Sequence, residues 1–279
     1  MCLICEGKYP TDLEVLFVCE NVSEIPELPQ TLRELDCSHN SRIRFLPKLP
    51  PTLKELNIEG CSQLEFLSEL PQTLELLNCI NCVNLTFPTL PGSLKYLYCG
   101  GCTQLHTLPE LPQSLLSINC YGCYSIKSLP ELPIGLLSLW VGRCIQLQTL
   151  PKLPPSLLEF ECSGCTQTDG LQNLPQTLTL LSCRDTQIQT LPELPQTLKI
   201  LECNNCINLE SLPVLPDSLE SLICCGCTSL KYIPNLPSSL KTFWHVSCPN
   251  LIKLLPLPSD KNNKSYYIPC NTNRLRYHL

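Results

Sequence analysis

From Ile25 onward the chain repeats itself. Eleven consecutive units begin at residues 25, 46, 67, 87, 108, 129, 150, 171, 191, 212 and 233; nine have 21 residues, and those at Leu67 and Leu171 have 20. The shared pattern is L-P-x-L-P-x-[ST]-L-x-x-L-x-C-x-x-C-x-x-L-x-x. Units this short cannot bury an apolar face alone, so they must stack on one another. Leu13, Leu16, Val18 and Val22 extend the rhythm backwards as a partial unit. It fades over Leu254 to Pro258. The expected organisation is an N-terminal cap and partial repeat over 1–24, repeats over 25–253, and a fading repeat with a polar cap or tail over 254–279.

Each unit holds one short alternating segment, such as "KILEC" at 199–203, which reads as a strand with one buried face. The two prolines of "LPELP" exclude helix and cannot donate to a sheet ladder. The return path should therefore be extended and polyproline-like, with little helix. The strands should form a curved parallel sheet on the concave side, roughly 50 Å long at ~4.8 Å per strand.

The x-x-L-x-L-x-x-[N/C]-x-L core, seen in "IPELPQTLRELDC" at 25–37 and its successors, resembles that of leucine-rich repeats. The L-P-x-L-P doublet followed by x-[ST]-L resembles the short-repeat subclass of bacterial effectors that enter host cells. The C-x-x-L of "CTQL" at 102–105 departs from that subclass towards the cysteine-containing one. The resemblance spans about residues 25–258 and implies a leucine-rich-repeat solenoid. Some such effectors carry a ubiquitin-ligase domain after the repeats; the roughly twenty residues after Pro258 are too few for one.

The chain has 22 cysteines, many in C-x-x-C pairs. Cys79, Cys82, Cys99 and Cys102 have the spacing of a four-thiolate zinc site. The repeat period generates that spacing automatically. Numbered from the leucine after [ST] (Leu32, Leu53, Leu74, Leu94, Leu115, Leu136, Leu157, Leu178, Leu198, Leu219 and Leu240), the first cysteine falls five residues on. Ile58 and Val141 replace it in two units, so the column is core and its thiol serves as a small hydrophobe. The second falls eight residues on, where Asn40 and Thr186 also occur, marking the turn after the strand. The cysteines therefore read as two structural columns, with disulfides between some neighbours left open. Cys225 should point outward on the concave face, and thiol reactivity should concentrate there and at Cys270.

The expected partner surface is the outward strand face, two and four residues past the leading leucine, with a flanking position at six. Glu34, Asp36, Glu55 and Glu59 make its N-terminal end acidic, which suits a basic protein segment or plain solvation. Tyr96, Tyr98, Tyr121 and Trp140 follow, with Arg143 at their edge, then Glu159 and Glu161. Ile200, Ile223 and Trp244 form a later patch with Leu180. Aromatics and arginine ringed by polar groups suit a protein-binding hot spot. Cross-strand stacking is the plainer reading, and a glycan could also stack there.

A formal charge of −6 gives no reason to expect nucleic acid or an anionic membrane as partner. No apolar run is long enough for a spanning helix. "MCLICEGKYPTDLEV" lacks a secretory pattern, so reduced thiols and a cytoplasmic setting, the chain's own or a host's, are expected. No phosphate loop, H-E-x-x-H or serine elbow occurs, and the four histidines are scattered. No enzyme activity, metal or cofactor is expected. Two functions remain: a protein-recognition solenoid, or a structural assembly protein that self-associates.

Overall fold

The computed structural model describes residues 3–5, 10–165, 171 and 173–251. Twelve three-residue strands form one parallel sheet in strict chain order. They are β1 Val15–Phe17, β2 Glu34–Asp36, β3 Glu55–Asn57, β4 Leu76–Asn78, β5 Tyr96–Tyr98 and β6 Ser117–Asn119. The rest are β7 Ser138–Trp140, β8 Glu159–Glu161, β9 Leu180–Ser182, β10 Ile200–Glu202, β11 Ser221–Ile223 and β12 Thr242–Trp244. The curved solenoid expected from the repeat is present, with essentially no helix. The partial unit before Ile25 supplies a strand of its own, β1, paired in register with β2. The expected fading repeat and tail lie outside the described residues.

The register keeps every column in line: Leu35, Leu56, Leu77, Leu97, Ile118 and Leu139 are successive partners, all buried. Each unit's middle strand residue thus meets its counterparts in a continuous apolar core. The second proline of each doublet opens a tight turn. The amide of Leu32 donates to the Pro29 carbonyl at 3.1 Å, and the same bond recurs from Leu53 to Pro50 and onward to Leu240 and Pro237.

The [ST] position closes one unit onto the next. Thr52 Oγ1 donates to the carbonyls of Gln30 (2.7 Å) or Leu32 (2.8 Å) of the preceding unit. Thr73, Ser156, Thr177 and Thr197 reach back in the same way. Gly135 stands at this position in one unit and carries no hydroxyl. The hydroxyls satisfy carbonyls that proline-rich backbone could not pair through a ladder.

The second cysteine column works similarly. Cys61 Sγ donates to the Cys37 carbonyl (3.1 Å), Cys82 to Ile58 (2.9 Å), Cys102 to Cys79 (3.2 Å) and Cys123 to Cys99 (3.0 Å). The column continues through Cys248, which donates to Cys224. Asn40 performs the task more strongly, its Nδ2 donating to Cys19 and Val22 carbonyls at 2.8 Å. The first cysteine column is fully buried from Cys37 to Cys224, alongside Ile58 and Val141. One column is a set of weak donors and the other a set of small hydrophobes.

One backbone feature recurs in every unit. The residue before the second column has positive φ: His39, Gly60, Asn81, Gly101, Gly122, Arg143, Gly164, Asp185, Asn205, Gly226 and Ser247, all between 56° and 73°. Glycine enters this conformation freely, and Asn, Asp and His are enriched there. The recurring "GC" and "NC" dipeptides are its trace in the sequence. Arg143 and Ser247 are the costly members, and Arg143 lies between Gly122 and Gly164.

Candidate protein-interaction surface

The concave surface consists of three parallel rows. In the row four residues past the leading leucine, polar side chains bend back to accept the amide two residues on. Asp36 Oδ1 accepts from Ser38 N (2.8 Å), Asn57 Oδ1 from Glu59 N (3.1 Å), Asn78 Oδ1 from Ile80 N (3.2 Å) and Asn119 Oδ1 from Tyr121 N (3.0 Å). These are local caps at the ends of very short strands. Tyr98, Trp140, Ile223 and Trp244 occupy the same row and have no group that can do this.

The register brings the central residues together. Tyr96 and Tyr98 share β5, their ring centroids 6.4 Å apart and tilted by 43°. Asn119 of β6 separates Tyr98 from Trp140 along the row. The Trp140 indole Nε1 donates to Ser138 Oγ (2.9 Å), and that hydroxyl donates to Glu159 Oε2 (3.1 Å). The chain of bonds fixes the indole across the face. The Arg143 guanidinium carbon lies 5.8 Å from the centre of the Tyr121 ring, within cation–π range. Burial raises the Tyr98 hydroxyl above its ordinary pKa, opposed by a hydrogen bond with Ser117 and assisted by Tyr96.

Glu161 lies beneath this surface. It is 4% exposed, and Oε1 accepts from Ser163 N at 3.1 Å. Oε2 is buried with no hydrogen-bond partner, and burial raises the carboxyl above its usual range. The space it uses is left by Gly142. A Cβ built there would overlap Glu161 Oε2 and come within 2.7 Å of Tyr121 Cε2. Gly142 is absent from the positive-φ residues, so the glycine supplies room and not conformation. Sequence reading missed Gly142, because its role depends on residues about twenty positions away on both sides.

Ile200, Ile223 and Trp244 form a second group. Ile223 pairs with Trp244 in register, while Ile200 pairs with Leu180 and Ser221. A polar bridge separates them from the aromatic centre: Ser163 Oγ meets Ser182 Oγ (3.1 Å), Ser182 Oγ donates to Glu202 Oε2 (3.0 Å), and Arg184 Nε lies 3.6 Å from that oxygen. The ten expected contact residues thus fall into a central group of seven and a C-terminal group of three. Cys225 does not stand out as an exposed thiol. It is 5% exposed and engaged in a disulfide, so the reactivity expected of it is not available. Cys270 lies outside the described residues.

Among the described residues, no group of three or more His, Cys, Asp or Glu is arranged to hold a metal ion. No described helix is long and apolar enough to cross a membrane. No family model matches the chain, and no curated protein matches it. Solved structures do. YopM, a leucine-rich effector protein from Yersinia pestis, is 27% identical with a TM-score of 0.59, covering 85% of this chain and 84% of that one. YopM from Yersinia enterocolitica WA-314 is 28% identical with a TM-score of 0.50, covering 84% of this chain. The match spans 64% of the length of that second protein. A leucine-rich repeat protein from Bacteroides ovatus is also similar, at 20% identity and a TM-score of 0.45. The chain is a leucine-rich-repeat solenoid, similar in fold and sequence to effector proteins of that architecture.

Proposed function

We propose that this chain is a non-catalytic recognition module that binds a protein partner through the concave face of β5–β8. The observation that carries the reading is Arg143. A non-glycine residue in the left-handed region costs roughly 1–2 kcal/mol, and both neighbouring units place glycine at this position. Arg143 keeps its charge over the Tyr121 ring at that cost, in the same unit as an indole fixed by Ser138. Strained, exposed and aromatic-flanked arginines belong to contact sites more than to packing. Glu161 then acts as the support under Tyr121, and Glu159 as the anchor of Trp140. The C-terminal group of Ile200, Ile223 and Trp244 extends the contact, and the acidic end at Glu34, Asp36, Glu55 and Glu59 suits a basic segment of the same partner.

Likeness to YopM supports an effector-type role, in which the partner belongs to another cell. Affinity capture from source and host lysates, comparing wild type with Tyr98→Ala/Trp140→Ala, tests the site. A partner held by wild type and lost from the folded double variant supports it. Equal capture by both moves the contact off the central group.

A second reading is self-assembly through the sheet ends. Among the described residues, β1 and β12 each pair on one side only. Stable oligomers in native mass measurements, unaffected by the Tyr98/Trp140 changes, would favour it.

A further inference from the structure

A fourth row borders the concave face at the N-terminal ends of the strands. The residue just before each strand donates its amide to the carbonyl of its counterpart one unit back. Leu116 donates to Lys95 (2.8 Å), Leu137 to Leu116 (2.9 Å), Leu158 to Leu137 (2.8 Å) and Thr179 to Leu158 (2.8 Å). This rim is therefore registered as closely as the strands themselves. Most of it is charged, and the charges pair along it. Glu75 lies 2.7 Å from Lys95 Nζ and 3.6 Å from Lys54 Nζ, and Glu220 pairs with Lys241. Before β6, β7 and β8 the charges give way to Leu116, Leu137 and Leu158. Leu137 and Leu158 are 37% and 38% exposed, and Leu116 is part-buried. Ile134, in the turn leading to Leu137, is 70% exposed, and Pro155 is exposed in the next unit's turn. Lysine, glutamate and threonine serve the same backbone position elsewhere, so the fold does not require these leucines. A contiguous apolar patch bounded by charge marks a contact surface.

The order of charges along the rim says what covers it. From β3 to β11 the row reads Lys54, Glu75, Lys95, the three leucines, Thr179, Lys199 and Glu220. A twofold axis through Leu137 lays a second copy's rim antiparallel on the first. Leu137 then meets its own copy and Leu116 meets Leu158. Glu75 meets Lys199, Lys54 meets Glu220, and Lys95 faces the neutral Thr179. Each unlike pair occurs twice, as such an axis demands. At the ends Arg33 meets Lys241, each already paired within its own chain, to Glu14 and to Glu220. Other registers fail. Moving the axis half a unit one way opposes Lys95 to Lys199 and Glu75 to Glu220; the other way opposes Lys54 to Lys199. Moving it a whole unit sets a leucine against Lys95 or Lys199.

We infer that the chain pairs with a second copy of itself, rim to rim, about a twofold axis at Leu137. Curvature does not prevent this. A row along a regular solenoid is a helical curve, and a radial twofold axis maps such a curve onto itself with its direction reversed. The two rims therefore stay in contact along their length, and both concave faces open on the same side with their aromatic centres uncovered. The association closes at two copies, whereas pairing through β1 and β12 would add copies without limit. The strip from Lys54 to Glu220 is about 38 Å long at ~4.8 Å per strand. It is only a few side chains wide, which places it among the small interfaces of weak, reversible association. The pairing does not rest on the proposed function.

Sedimentation velocity of the full chain from about 5 to about 200 µM, the range suited to a small interface, tests it. The mass should rise from one chain to two and stop there. Leu137→Glu brings two carboxylates together on the axis and should remain a single chain throughout, with the circular dichroism and melting of wild type. Oxidation of added cysteines by diamide, followed by peptide mapping without reductant, locates the axis. Leu137→Cys should link to its own copy, while Leu116→Cys and Leu158→Cys should link only when mixed with each other. A single-chain mass for wild type at the highest concentration overturns the pairing and gives the rim to a different protein. A dimer that Leu137→Glu leaves intact, or a Leu116→Cys chain that links to its own copy, overturns the axis. Tyr98→Ala/Trp140→Ala should pair as wild type does; loss of pairing there would move the contact to the concave face and overturn the rim. Capture of a partner and pairing of copies are thus read on different variants, and the two ideas fail separately.

Discussion

The acidic end and the aromatic centre of the concave face use the same backbone positions for opposite purposes. At β2–β4, Asp36, Asn57 and Asn78 cap the amides two residues on. They also link sideways, Asn57 Nδ2 to Asp36 Oδ2 and Asn78 Nδ2 to Glu59 Oε2, both at 3.1 Å. At β5 and β7, Tyr98 and Trp140 give up the cap. Their units instead place Gly100 and Gly142 at the flanking position, both buried. Much of what reads as an acidic binding patch is therefore strand-end hydrogen bonding. The aromatic centre has no such duty, which is why it is the better candidate for contact.

The largest expected test of that contrast is steric. Gly142→Ala should cost about 1–3 kcal/mol in urea unfolding, because Glu161 and Tyr121 must both move. Gly135→Ala, where a Cβ meets nothing within 4 Å, should be neutral or stabilising by about 0.4–1 kcal/mol. Equal effects would mean that Gly142 is not holding space for the cluster.

Next come the two cysteine columns. Cys120→Ser puts a hydroxyl into apolar core and should cost about 1–3 kcal/mol. Cys123→Ser keeps a donor for the Cys99 carbonyl and should cost less than about 1 kcal/mol. A reversal of that order in chemical denaturation would show the columns to be misassigned.

Arg143→Gly should stabilise the fold by about 1 kcal/mol while weakening partner capture. Asp36→Ala should lose about 0.5–1.5 kcal/mol of stability for its cap and weaken capture less than Arg143→Gly does. If both changes leave capture unaltered, the central arginine is a packing residue.

The smallest effect is that of pH. Burial raises the Glu161 carboxyl in the folded chain above its ordinary value of 4.5. The unfolded chain therefore releases this proton first. Relative to Glu161→Gln, wild type should lose stability as pH rises from about the ordinary carboxylate value to the raised one, then level off. A wild type that gains stability over that interval would mean that Arg184 and the amides around Glu161 outweigh its burial.

How far the sequence alone reaches is clearest in particular columns. Ile58 and Val141 disclosed that the first cysteine column is core, and Asn40 and Thr186 that the second lies at a turn; both places hold. The strand positions follow from alternation, and β1 from the apolar rhythm before Ile25. Those properties depend on residues within one unit, repeated until the pattern is unmistakable. Tertiary structure alone decided that Gly142 is room for Glu161, that Asp36 and Asn57 are caps, that Arg143 pays for its conformation, and that Ile200, Ile223 and Trp244 stand apart from the centre. It also decided that Cys225, outward by periodicity, is buried. Each of these depends on side chains in adjacent units, some twenty residues apart in the chain and one strand apart in space, where a local pattern carries no information about which neighbour a side chain meets.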